Sequence, residues 1–97
     1  MIKRVFRVRI HPALRDGFEE RFATISIAAV ESAPGCLDVS IYRPTPWAPE
    51  EYAMVTHWEN AEALQAFAGR DWNKAVIPSG MEAFVDECWV HHYEAWR

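Results

Sequence analysis

From Ile2 to Ile10 apolar and charged residues alternate: Ile2, Phe6, Val8 and Ile10 share one face with Arg4, while Lys3, Val5, Arg7 and Arg9 share the other. Successive strand side chains point to opposite sides, so this is a half-buried strand with one charged face. His11-Pro12 ends it, and proline suits the first turn of a helix, so a helix begins near Pro12 or Ala13. Leu14, Phe18, Phe22, Ile25 and Ala29 follow at spacings of four, four, three and four, forming one stripe of a helix that must lie against a sheet. Ala33-Pro34-Gly35 breaks that helix. Leu37, Val39 and Ile41 then alternate with Asp38, Ser40 and Tyr42 as a second strand. In the connection PTPWAPE, three prolines bar regular pairing and leave Trp47 either on a rigid rim or packed over the loop's own base.

The segment Glu51–Phe67 is the most structured by pattern. Tyr52, Met54, Thr56 and Trp58 fall on one face of a third strand and Ala53, Val55 and His57 on the other. Asn60 is placed to cap a second helix through Ala61, Ala63, Leu64, Ala66 and Phe67, and Gly69 stops it. Asp71 caps a further turn through Trp72 and Val76. After Pro78-Ser79-Gly80, Met81 to Val85 make a short helical piece, and the last strand runs from about Glu87 to Trp96. The order β-α-β-β-α-β is the ferredoxin-like split unit, an α+β fold. It places both helices on one face of a four-stranded antiparallel sheet of order 4-1-3-2. No linker divides residues 1–97, so a single domain is expected.

A net charge of −4 gives no reason to expect nucleic-acid binding, and no apolar run is long enough to span a membrane. Two distant cysteines, Cys36 and Cys88, fit a reduced cytoplasmic protein better than a zinc or redox motif. Five tryptophans in 97 residues point to a tight core, an aromatic pocket or a subunit interface. A chain this short has little apolar surface to spare for a cavity, so a partner subunit would help.

Chemistry-bearing residues are few. His91 and His92 are adjacent on a strand and face opposite sides, so they cannot chelate one metal together. His57 lies two strands away, roughly 10 Å at the usual strand spacing, so no metal site is expected. One of His91 and His92 must face the helices, where a neutral imidazole could serve as general base; the sequence leaves open which. Arg4 sits near a strand start, where a long side chain reaches solvent. Lys3, Arg7 and Arg9 line the outer face and are expected to pair with Asp38.

The element order, the Pro34-Gly35 break, Tyr52 in strand three and Trp58-Glu59-Asn60 entering helix two together resemble the antibiotic biosynthesis monooxygenase domain over nearly the whole chain. The resemblance implies a homodimer whose two sheets meet as an α/β barrel, each pocket lying between a sheet and its own helices. In the anthrone-oxidising branch, which uses neither metal nor flavin, the pocket tryptophan matches Trp58, while the pocket asparagine falls on Met54 and a helix tyrosine on Leu64. In the haem-degrading branch the strand-one asparagine falls on Phe6, a helix-two tryptophan on Phe67 and the histidine iron ligand on Ile77. The implied pocket is therefore apolar, with Trp58, Tyr52, Met54, Phe67, Trp72, Phe6 and Leu64 around a small hydrophobic aromatic ligand. The implied activity is cofactor-independent monooxygenation of an aromatic, quinone-like or polyketide substrate, with His91 or His92 as base. The alternatives are a non-catalytic small-molecule-binding or stress-associated dimeric barrel protein, or an isomerase on the same fold.

Overall fold

The computed structural model describes the whole chain, Met1–Arg97. Four antiparallel strands, β1 (Ile2–Ile10), β2 (Cys36–Tyr42), β3 (Glu51–Trp58) and β4 (Val85–Glu94), form one open sheet in the order β2-β3-β1-β4. The helices are α1 (Arg15–Arg21), α2 (Ile27–Glu31) and α3 (Ala61–Ala68). This is the split unit expected from the alternation, with the expected strand order. No helix is long and apolar enough to cross a membrane.

Register fixes which residues meet. Ile2, Arg4, Phe6 and Val8 stand opposite Trp58, Thr56, Met54 and Tyr52 of β3, and Arg4 stands opposite His92 of β4. Ile2, Val8, Tyr52, Met54 and Trp58 join Phe18, Phe22, Val30 and Leu64 in the core, so this face is the one under the helices. Burying so many large side chains is what holds the sheet and the three short helices together, at about 1.5–3 kcal/mol for each fully buried aliphatic or aromatic group. Asn60 caps α3 as the sequence indicates: its side-chain oxygen accepts the Ala63 N–H at 2.8 Å.

The first helix departs from its simple stripe. Between α1 and α2 the chain forms one π-helical stretch, Phe22–Ser26, where Thr24 Oγ1 donates back to the Glu20 carbonyl at 3.0 Å. A hydroxyl inserted into the helical ladder bends it, and a π turn adds a residue to the turn. The buried series is therefore Phe18, Phe22, Ser26 and Val30, while Ile25 and Leu14 are exposed. Ser26 replaces Ile25 on the inner face because the extra residue rotates everything after Phe22.

Three smaller expectations are corrected. Residues 70–74 form turns rather than a capped helical piece, closed by the Lys74 N–H on the Asp71 carbonyl at 3.1 Å. β4 begins at Val85 and ends at Glu94, two residues earlier than expected at each end. Asp38 pairs with His57 at 2.6 Å, while Arg7 pairs with Glu51, diagonal to it on β3, and Arg9 with Glu87, opposite it on β4. Trp47 is displayed, 93% exposed. Cys36 and Cys88 are free and lie on the two edge strands, three strand spacings apart, too far to bridge one another.

Candidate functional site

Between the sheet's inner face and the helices lies a cavity of about 620 Å³ including its open mouth. Phe6 and Val8 of β1, Met54 and Thr56 of β3, Phe22 and Ser26 of the π stretch, Phe67 of α3, and Ile77 and Met81 of the long connection to β4 supply its walls. Twelve of its sixteen lining residues are hydrophobic, and the other four are Pro78 and the polar Arg4, Ser26 and Thr56. The π stretch matters here because its extra residue is what turns Ser26 inward.

The residues singled out from sequence separate into groups. Phe6, Met54 and Phe67 line the cavity. Trp58 and Leu64 are 0% exposed and lie behind that wall: the Trp58 ring packs 5.1 Å from Phe67, and its Nε1–H donates to Thr56 Oγ1 at 2.9 Å. Tyr52 is turned to a second recess, where its hydroxyl donates to Glu19 at 2.5 Å. Burial, and then this bond to a carboxylate, push the phenol up to about 12. Trp72 contributes its backbone carbonyl and the edge contact of its ring with His92, at 4.6 Å.

The two histidines part as strand geometry requires. His91 stands opposite Val5 and is exposed on the outer face, whereas His92 stands opposite Arg4 on the inner face and is half-buried. Neither lines the cavity. Arg4 Nη1 donates to His92 Nε2 at 3.0 Å, which requires a neutral ring with its proton on Nδ1. Burial, reinforced by the charges of Arg4 and His91, lowers His92 from 6.5 to about 4. No cluster of three histidine, cysteine or acidic side chains able to hold a metal ion is formed.

A group with a depressed histidine pKa is neutral in the folded chain while its unfolded counterpart binds a proton. His92 therefore contributes stability above about pH 6.5 that is lost as pH falls from 6.5 toward 4. Urea unfolding midpoints should drop between pH 7 and pH 4.5, and His92→Gln, which keeps an acceptor for Arg4 without titrating, should drop less. Equal drops in the two proteins would remove His92 from the acid response.

Arg4 is the functional candidate that sequence reasoning passed over. It is 5% exposed rather than solvated, and it donates to the Trp72 carbonyl at 2.6 Å and the Lys74 carbonyl at 2.9 Å. Burial lowers its pKa to about 10, which leaves it charged at neutral pH. Its position on the apolar face of β1, opposite Thr56, was the available signal.

The sequence pattern of the family described as antibiotic biosynthesis monooxygenase matches residues 1–79. A heme oxygenase (mycobilin-producing) of Mycobacterium tuberculosis is 48% identical over 50 residues, which cover 52% of this chain and 46% of that protein. The match thus spans about half the length of such relatives. The structure of the heme-degrader MhuD from the same organism, with two hemes bound in its active site, is 25% identical and superposes with a TM-score of 0.73 over 100% of this chain and 97% of that one. SnoaB, a cofactor-independent oxygenase from Streptomyces nogalater, is 17% identical with a TM-score of 0.73 over 99% of this chain and 93% of that one, a likeness of fold alone. With the split-unit sheet and with a sequence match over residues 1–79, the chain belongs to the antibiotic biosynthesis monooxygenase family.

Proposed function

We propose that this chain is a cofactor-independent monooxygenase acting on a small, flat hydroxyaromatic, quinol or polyketide substrate. The observation that carries the reading is the lining of the cavity: an apolar slot on the helix-covered face with only three polar residues to orient a ligand. An anthrone illustrates the chemistry. Loss of a proton gives a delocalised carbanion, and reaction with O2 converts the CH2 to a carbonyl, with the second oxygen atom leaving as water. The protein's part is to bind, orient and exclude solvent.

Of the two candidate bases, His92 is favoured over His91 because it shares the cavity's side of the sheet. Its one unprotonated nitrogen accepts from Arg4, so His92 takes a substrate proton only where that contact opens. Heme as substrate fits these residues less well. No histidine, cysteine or tyrosine lines the cavity, and Ile77 stands in its wall.

The chain is further proposed to work as a homodimer in the cytoplasm. Leu37, Tyr42 and Tyr93 are more than half exposed, and Trp89 on the outer face lies under the guanidinium groups of Arg7 and Arg9, at 5.2 and 5.4 Å. A partner sheet would cover such a face. A second reading, ligand binding without chemistry, is favoured by one observation, the engagement of His92 with Arg4 outside the cavity lining.

Oxygen uptake with a panel of anthrones and hydroquinones separates the two. Consumption above the buffer rate, by a preparation with twice the chain mass, is the expected result. Saturable binding without oxygen consumption selects the binding protein, and a monomeric mass at micromolar concentration overturns the barrel.

A further inference from the structure

Arg4 is a buried cation without an anion. No acidic side chain pairs with it, although Arg7, Arg9, Arg15 and Arg43 all have carboxylate partners. A guanidinium has five N–H donors, and three are used: Nη1 toward the Trp72 carbonyl and His92 Nε2, and Nη2 toward the Lys74 carbonyl. Two remain. Removing a charge from water without a counter-ion is costly, so the position asks for a partner that the chain itself does not supply.

Arg4 is also one of the residues that line the cavity, and Thr56 lines it from the directly opposite position on β3. Thr56 Oγ1 accepts the Trp58 indole N–H, and its hydroxyl hydrogen is free to be donated to a ligand. No aspartate or glutamate is among the lining residues. The polar corner of an otherwise apolar slot thus offers donors and a positive charge, and no competing carboxylate.

We propose that Arg4 and Thr56 form an anion subsite that holds the ionised oxygen group, a carboxylate, phenolate or enolate, of a flat aromatic ligand whose rings lie against Phe6, Met54 and Phe67. The subsite rests on the pocket reading above and narrows it: the ligand carries negative charge at its buried end. It also gives Arg4 a polar task that Met54 and Leu64, at the positions matched to the anthrone-oxidising branch's asparagine and tyrosine, cannot perform. An enolate formed in the cavity would meet a fixed cation rather than water, the arrangement that stabilises developing negative charge without reorganisation.

The test compares 2-naphthoate with 2-naphthalenemethanol, one ring system with and without the charge, by calorimetry in 0.15 M salt. The wild type should bind the anion at least about tenfold more tightly, as charge-assisted hydrogen bonds in a dry site require. Arg4→Met should lose that preference while still binding the alcohol, and Arg4→Lys should keep part of it. Because Arg4 also anchors residues 72 and 74, the fold of each variant is checked by its unfolding transition, and if Arg4→Met does not fold the wild-type and Arg4→Lys comparison decides. Equal binding of both probes by the wild type overturns the subsite and leaves the pocket standing. Binding of neither overturns the pocket reading and the subsite with it, and an undiminished preference in folded Arg4→Met overturns the assignment to Arg4.

Discussion

Gly35→Ala is expected to destabilise the chain by about 3–4 kcal/mol, a large part of the roughly 5–15 kcal/mol available to a domain of this kind. Two independent costs combine at this residue. Its φ is +84°, in the left-handed region where a side chain costs about 1–2 kcal/mol. A Cβ built there also overlaps the Cβ of Ala63 on α3, and both atoms are carried by backbone, so neither can rotate away. Overpacking of that sort costs about 1–3 kcal/mol. The position is a junction as well: the Gly35 carbonyl accepts the Glu59 N–H at 2.9 Å, tying the start of β2 to the turn that leads from β3 into α3. Ala63→Gly in the same chain should return the overlap part, less about 1 kcal/mol for glycine in a helix, and leave the conformational part. Urea unfolding checks both, and a single variant within about 1 kcal/mol of wild type would mean that the β2–α3 approach is looser than described.

Trp58→Ala is expected to cost about 3–5 kcal/mol, because a fully buried indole is removed from between Thr56 and Phe67 and the surroundings cannot close the space. A loss of activity in that variant would therefore report on folding before it reported on chemistry. Trp58→Phe is the informative change. It keeps a ring against Phe67 and gives up the N–H bond to Thr56, at about 1 kcal/mol. Since Trp58 lies behind the cavity wall, ligand affinity in folded Trp58→Phe should stay within about twofold of wild type, the change expected of a residue that makes no direct contact. A loss beyond tenfold with an unchanged unfolding midpoint would put Trp58 in the wall after all.

These two residues mark how far the pattern reaches. Gly35 and Trp58 are both read from local sequence, the first as a break and the second as the last inward residue of a strand, and both are where alternation puts them. The helix before Gly35 was legible as a helix and not in its phase. The π stretch at Phe22–Ser26, within which Thr24 bonds back to Glu20, adds a residue to the turn, and a fixed 3.6-residue period cannot anticipate it. For that reason the plain period points Ile25 inward, where the structure has Ser26. Arg4 was missed for a different reason. Residue type alone makes an arginine near a strand end a solvent-reaching group, and only the carbonyls of Trp72 and Lys74, sixty-eight and seventy positions away, turn it inward.

What the sequence determined by itself is the order of elements, the inward face of each strand, the cap at Asn60 and the stop at Gly69, because these follow from side-chain periodicity and from hydrogen bonds between near neighbours. What the tertiary structure alone decided is which inward residues meet empty space and which meet other residues. Phe6, Met54 and Phe67 border the cavity while Trp58 and Leu64 are sealed behind it, and His92 is taken up by Arg4. That division rests on where α3 and the connection at residues 70–84 settle over the sheet. Such contacts between parts of the chain far apart in sequence leave no local period to read.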